Sequence, residues 1–208
     1  DYLERVPNVM LFDVPLHYHL HDASVSDGNV DLSRLWENTL TASHPDQSVT
    51  FVENHDTQPG QSLASTVAPW FKAAAYAIIL FHEAGVPCVF WGDLLGSPES
   101  DDLPAVRELP ILMGIRARAA LGPQHNAFDD ADVVGFAREG KEEIPGSGCA
   151  VILSDRMAAE KTLYVGQCHA GEEWECVIGG HPSVRVAEDG TLTGVVSDGG
   201  LSVYVPRA

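Results

Sequence analysis

Apolar and polar positions follow two rhythms along the chain, and the change falls near residue 120. Before it, short apolar runs alternate with stretches of helical spacing. Asn8 to Val14 reads as a strand. Asp31 to Leu40 reads as a helix, with Leu32, Leu35, Trp36 and Leu40 near 3.6-residue spacing and Asp31 as its cap. Gln47 to Val52 is a second strand. Trp70 to Glu83 is a helix apolar nearly all round, which places it between layers; Gly85 stops it and Pro87 follows. Val86 to Trp91 is a third strand, continuous in apolar residues as buried parallel strands are. Leu103 to Ala120 reads as a longer helix with Pro104 in its first turn. From Leu121 the runs shorten. Val133 to Arg138, Cys149 to Leu153, Thr162 to Val165, Trp174 to Ile178, Val184 to Val186 and Leu201 to Val205 are strand candidates. Asp129-Asp130, Pro145-Gly146, Gly179-Gly180, Asp189-Gly190 and Gly199-Gly200 are the turn signals between them.

This pattern divides the chain into an α/β part, residues 1–120, and an antiparallel all-β part, residues 121–208. Strands ending in polar groups fit an arc of a (β/α)₈ barrel; an open doubly wound sheet is the alternative. No glycine-rich phosphate turn follows any strand, so dinucleotide binding has no support.

Charge narrows the partners. A formal net charge of -18 repels a phosphate backbone and an anionic membrane surface, so neither nucleic acid nor membrane is expected. No apolar run approaches the roughly 20 residues of a membrane span. The chain begins at Asp1 without a Met and reads as a piece of something longer. The four cysteines, Cys88, Cys149, Cys168 and Cys176, have no CxxC spacing, so no zinc site is expected. Cys168 and Cys176 flank a five-residue segment symmetrically; in a hairpin they would face each other, and a disulfide there would favour an oxidising, extracellular setting. The compartment is otherwise open.

The densest chemistry follows the second strand, in Glu53-Asn54-His55-Asp56-Thr57-Gln58. Polar groups are costly to bury without compensation, and at the C-terminal end of a barrel strand they line the rim where ligands bind. A capped turn, with Asp56 or Thr57 as cap and His55 satisfied in the core, accounts for the same residues. His17, His19 and His21 alternate around Tyr18; a strand would point all three to one side as a metal site, a loop would not.

Phe51-Val52-Glu53-Asn54-His55-Asp56-Thr57-Gln58-Pro59-Gly60-Gln61 resembles the fourth signature region of α-amylases, glycoside hydrolase family thirteen, and in particular the liquefying bacterial-type subfamily and its fungal relatives. The likeness extends both ways. Phe12-Asp13-Val14-Pro15-Leu16-His17-Tyr18 resembles the segment at barrel strand six, and Trp70-Phe71-Lys72 with Ala75-Tyr76-Ala77 resembles helix seven. Gly85 to Asp93 resembles strand eight, where Tyr is more usual at Trp91. Gly122-Pro123-Gln124-His125, Asp132 to Gly140 and Leu163-Tyr164-Val165-Gly166 resemble the C-terminal β domain.

The resemblance implies strands six to eight of a (β/α)₈ TIM barrel followed by a Greek-key β-sandwich. It implies a retaining glycosidase acting on internal α-1,4 bonds of starch-type glucans. Asp56 matches the aspartate that stabilises the transition state. His55, Gln58, Tyr18 and Trp91 are candidate substrate contacts. The nucleophile and the acid/base belong to strands four and five, which an N-terminal half, as a second chain, would carry; Asp13 and Glu53 do not match those roles. A calcium between barrel and β domain is implied at Gly28, Val30, His125, Asn126 and Asp155, with Asn126 where an acid is usual. The family's better-known calcium site belongs to the N-terminal half. A glucanotransferase with the same site, and a non-catalytic glucan-binding fragment, are the rival readings.

Overall fold

A computed structural model describes residues 2–96 and 103–207. After a short helix α1 (Tyr2–Arg5), the parallel part runs β1 (Leu11–Phe12), α2 (Val14–Val25), α3 (Leu40–Ser43), β2 (Ser48–Phe51), α4 (Pro69–Phe81), β3 (Val86–Cys88), α5 (Trp91–Leu95) and α6 (Leu109–Arg118). The three strands form one parallel sheet in the order β1-β2-β3, with Phe12 opposite Val49 and Phe51 opposite Cys88.

Several expected elements are shorter or different in kind. The first strand is cut to two residues because Asp13 turns the chain: its side chain accepts from Leu16 N–H, and Pro15 sits in the first turn of α2. The histidines therefore lie on a helix, where residues two apart point to opposite sides. His17, His19 and His21 bond separately to the carbonyls of Val52, Leu35 and Thr66, so they form no metal face. Asp31 does cap, accepting from Ser33 N–H, but the expected helix to Leu40 is a single 3₁₀ turn, Leu32–Arg34. Asn38 takes a left-handed φ of 58°, and Thr39 starts α3 afresh by accepting from Ala42 N–H. The third strand ends at Cys88, and Trp91 opens α5 instead. The expected Leu103 to Ala120 helix begins at Leu109 with Pro110 in its first turn, because Val106 N–H is drawn off to Asp93 O at 2.7 Å. Residues 97–102, between α5 and that segment, lie outside the described residues.

The helix α4 matches its expectation: Phe71, Ala75, Tyr76, Ala77, Ile78, Ile79 and Phe81 are wholly buried. Gly85 then turns with φ 79°, and a Cβ there would meet Thr50 Cγ2 at 2.9 Å, so the chain passes too close to β2 for a side chain.

The remaining strands are β4 (Gln124–Ala127), β5 (Val133–Arg138), β6 (Cys149–Ser154), β7 (Ala159–Tyr164), β8 (Glu173–Ile178), β9 (Val184–Arg185), β10 (Thr191–Val196) and β11 (Leu201–Pro206). Six form an antiparallel sheet in the order β4-β5-β6-β11-β8-β9; β7 and β10 pair as a separate ribbon. The pattern misses β4 and β10. The first is a polar edge strand, Gln-His-Asn-Ala, and the second is interrupted by Gly194, which lies against the Tyr204 ring and Ile152. One face of the sheet packs on the ribbon through Ala150, Ile152, Leu163, Leu192, Val196 and Tyr204. The other face, with Val134, Phe136, Val151 and Val203, joins the core of α4 and α6. Burial on both faces explains why β5 and β6 read as unbroken apolar runs.

All four cysteines are free. The expected Cys168–Cys176 hairpin does not exist, because β7 pairs with β10 while β8 pairs with β11 and β9. Cys168 lies in an exposed 3₁₀ turn, and Cys176 Sγ donates to Ile178 O at 2.9 Å.

Candidate functional site

In a parallel sheet the segments following the strands share one edge. Here that edge carries Asp13 after β1, Glu53 to Gln58 after β2 and Trp91 after β3. The middle segment is built from below. Asn54 Oδ1 accepts from the N–H groups of Asp56 and Thr57 at 2.8 and 2.9 Å, closing a tight side-chain turn. Thr57 Oγ1 accepts from Asn54 N–H at 3.0 Å and donates to Glu53 Oε1. Glu53 and Thr57 are buried while His55 and Asp56 stand out at the tip. Their side chains are 82% and 58% exposed, with His55 Nε2 3.4 Å from Asp56 Oδ1. The turn thus inverts the expectation of a core histidine: its acid and imidazole face outward, and the amide and hydroxyl hold them there.

Beneath the turn lies a buried charge cluster. Lys72, from the first turn of α4, contacts Asp93 Oδ1 and lies 3.5 Å from Glu53 Oε2. Tyr76 OH donates to Asp93 Oδ2 at 2.7 Å. Burial pushes the Glu53 carboxyl up, opposed by the Thr57 hydrogen bond and the Lys72 charge. Burial and the Asp93 carboxylate push the Tyr76 phenol up as well. No motif in the sequence ties these residues together, and the one signal of the cluster is that Lys72 is the sole charged residue in a thirteen-residue apolar helix.

The other candidates share the edge without touching Asp56 through a hydrogen bond. Gln58 Nε2 donates to His55 O at 3.2 Å and so braces the turn. Tyr18 is on α2, half exposed, with its ring against His17 at 5.3 Å. Trp91 is 69% exposed at the start of α5. His17 underpins this edge: its ring stacks on Phe51 at 4.9 Å, and Nε2 bonds Ser65 Oγ at 2.8 Å. Burial lowers its imidazole below the usual range.

The calcium candidates are split. Gly28 packs against Arg156, whose guanidinium donates to Asp27 O, and Leu32 N–H donates to Ala131 O, so the loop carrying Gly28 and Val30 meets the end of β6. Asp155 lies there, its N–H on Asp132 O. Both its carboxylate oxygens are buried, and neither accepts a hydrogen bond from the protein. Burial and the Asp132 charge push its carboxyl up to about 6. His125 and Asn126 are not part of this corner. Asn126 pairs with Phe136, and Phe136 with Val151, well up the sheet from Asp155; His125 Nε2 instead bonds Glu139 at 2.8 Å. The neighbouring acid is Asp132, which is not among the residues the resemblance implies. Among the described residues no three His, Cys, Asp or Glu side chains converge on one point. A hard cation at this corner would therefore need main-chain carbonyls beside the two acids.

An α-amylase of Bacillus licheniformis is 42% identical over 204 residues, 96% of this chain and 40% of its own length. An α-amylase of Geobacillus stearothermophilus is 42% identical over all of this chain and 38% of its own length. A glucan 1,4-α-maltohexaosidase of Bacillus sp. (strain 707) is 39% identical over all of this chain and 40% of its own length. The chain thus spans about two-fifths of these relatives. Among solved structures, an Anoxybacillus α-amylase superposes on 95% of this chain and 47% of its own with a TM-score of 0.63 at 20% identity. AmyP, solved in complex with maltose, superposes on 95% of this chain and 50% of its own, also with a TM-score of 0.63, at 14% identity. No protein-family model matches the chain.

Proposed function

The chain belongs to the α-amylase family, matching the C-terminal part of its members, and on that premise we propose that it supplies the strand-seven side of a retaining α-1,4-glucan hydrolase. In this reading β1, β2 and β3 are strands six to eight of a (β/α)₈ barrel, and the β part beyond residue 120 is the family's C-terminal domain. The observation that carries the reading is the outward turn at the C-terminal end of β2, with Asp56 exposed on a buried, hydrogen-bonded base.

A retaining glycosidase needs one carboxylate to attack the anomeric carbon and another to protonate the leaving oxygen. In this proposal the N-terminal region supplies both. Asp13 is committed to backbone donors and Glu53 is buried, so neither takes those parts. Positive charge builds on the sugar ring as the bond breaks. Asp56 holds ring hydroxyls and keeps a negative charge beside that centre, an interaction that strengthens in the transition state. His55 donates to a hydroxyl of the same sugar. Trp91 and Tyr18 offer ring faces along the same rim, and Gln58 a further polar contact.

The outer strands support the need for a remainder. Among the described residues nothing pairs with the outer edge of β1 or of β3, and Met10, Leu11, Phe12 and Val86 are exposed there. Unpaired parallel edges are an aggregation hazard unless covered. The N-terminal strands of the barrel would cover both. Calcium fits the Asp155 corner in part: Asp155 and Asp132 would hold it, with carbonyls of the Gly28–Val30 loop, and its role would be to tie that loop to β6.

The test is release of reducing ends from soluble starch, measured for the 208-residue chain and for the same chain joined to its N-terminal region. Activity is expected from the joined protein alone. Hydrolysis by the pure 208-residue chain would overturn the proposal. Products from maltooligosaccharides separate hydrolysis from glucan transfer: longer oligosaccharides as main products would favour the transferase.

A further inference from the structure

Buried ion pairs rarely contribute much net stability, since desolvation offsets their attraction. The cluster under the Asp56 turn is therefore better explained by what it fixes. It gathers one residue from each of three segments: Glu53 after β2, Lys72 from α4 and Asp93 from α5. All three are at most 4% exposed. The two Asp93 oxygens are divided between Lys72 and Tyr76, which leaves Asp93 no freedom to turn. Glu53 Oε2 faces Lys72, with no hydrogen-bond donor of its own. Glu53 Oε1 accepts from the Thr57 hydroxyl, and that hydroxyl's oxygen accepts in turn from Asn54 N–H. Asn54 in turn holds the N–H groups of Asp56 and Thr57. An unbroken chain of polar contacts thus runs from the Lys72 ammonium to the backbone of Asp56.

We propose that Lys72 is a positioning residue for Asp56, acting through Glu53 and Thr57. The inference rests on the glucan-hydrolase reading of Asp56. It assigns the cluster a catalytic consequence: with the chain broken, the exposed tip samples other orientations, and the carboxylate no longer meets the transition state in one geometry. Substrate affinity depends on the whole cleft, so KM should respond less than kcat.

The experiment uses the chain joined to its N-terminal region, assayed on starch below each variant's melting temperature. Thr57→Val keeps the side-chain shape and removes the hydroxyl; it should lower kcat by roughly tenfold or more with KM changed less than about threefold. Thr57→Ser should restore kcat to within about threefold of wild type. Lys72→Met should lower kcat comparably. In the double variant the two losses should be far less than multiplicative, because both break one chain of contacts. Should Lys72→Met fail to fold, the Thr57 pair decides. Wild-type kcat in Thr57→Val and Lys72→Met with lowered melting temperatures would mean a purely structural cluster and would overturn the proposal. Fully multiplicative losses would overturn it too, by showing separate actions. Asp56→Asn serves as the control. Its collapse alongside unaffected Thr57 and Lys72 variants sinks this inference alone, whereas a fully active Asp56→Asn sinks the glucan-hydrolase reading beneath it.

Discussion

Asp13 and Asp56 each follow a strand of the same parallel sheet, yet their surroundings are opposite. Asp13 is fully buried. One of its oxygens accepts from Leu16 and Leu40 N–H at 3.1 and 3.0 Å, the other from Thr41 N–H and Thr41 Oγ1 at 2.8 and 2.7 Å. Asp56 is exposed; its backbone N–H is held by Asn54, and its carboxylate faces His55 and solvent. An acid at a strand's C-terminal end is thus no sign of chemistry by itself. What separates the two is whether the lone pairs are already committed. Asp13 commits its charge to joining β1, α2 and α3, whereas the Asp56 charge is left exposed, and in the proposed reading it meets a ligand.

The sharpest way to break this contrast is to neutralise Asp13. In Asp13→Asn an amide NH₂ replaces one oxygen, and donor then faces donor at Thr41 or Leu40. Losing charge-assisted bonds and stranding a buried donor should cost about 3 kcal/mol of stability. Turnover per folded molecule should stay unchanged. Urea unfolding of the chain joined to its N-terminal region measures the first and active-site-normalised kcat the second; a stable but inactive Asp13→Asn would erase the distinction.

A smaller effect is expected at Asp155, where a carboxylate is buried without a protein donor. A cation that binds the folded state raises stability by mass action, on the order of 1–3 kcal/mol at tens to hundreds of times its dissociation constant. Calcium should therefore raise the melting temperature, and Asp155→Asn should remove part of that rise. Asn126→Ala, up the sheet, should leave it intact. An identical calcium response in Asp155→Asn would exclude this corner.

The smallest effect concerns acid. Burial holds the imidazoles of His17 and His82 below their unfolded value of 6.5. The unfolded chain binds more protons in that window, so the stability they support is complete above pH 6.5 and lost as pH falls towards the lowered folded values. Melting temperature should drop on acidification below pH 6.5. His17→Asn, less stable throughout, should show a shallower drop, and an unchanged slope would rule His17 out as a contributor.

Much of this was legible before the structure. The long buried helix α4, the middle strand β2 and six strands of the β part follow from apolar spacing and turn residues, since burial on one face leaves a periodic trace and burial on both an unbroken apolar run. Elements decided by a single backbone event were not. Asp13 and Pro15 cut an apparent strand to two residues and start α2, and the left-handed Asn38 ends an apparent helix. The amphipathic signal is silent on such points. At the site, the cluster from Glu53 to Gln58 was visible as a run of polar residues after an apolar strand. The partnership of Glu53 with Lys72 and Asp93 was not, because those contacts join segments far apart in sequence. Asp132 was hidden from Asp155 for the same reason: sheet register, rather than sequence spacing, brings them together.

In the proposed reading Asp56, whose carboxylate is left uncommitted at this edge, acts in the transition state. The most direct measurement is kcat on starch for Asp56→Asn in the chain joined to its N-terminal region, with the melting temperature taken on the same sample. With Asp56 in that role, kcat should fall about a hundredfold or more, on the order of 3 kcal/mol in the barrier, with the melting temperature nearly unchanged. Turnover within a few-fold of wild type would contradict it.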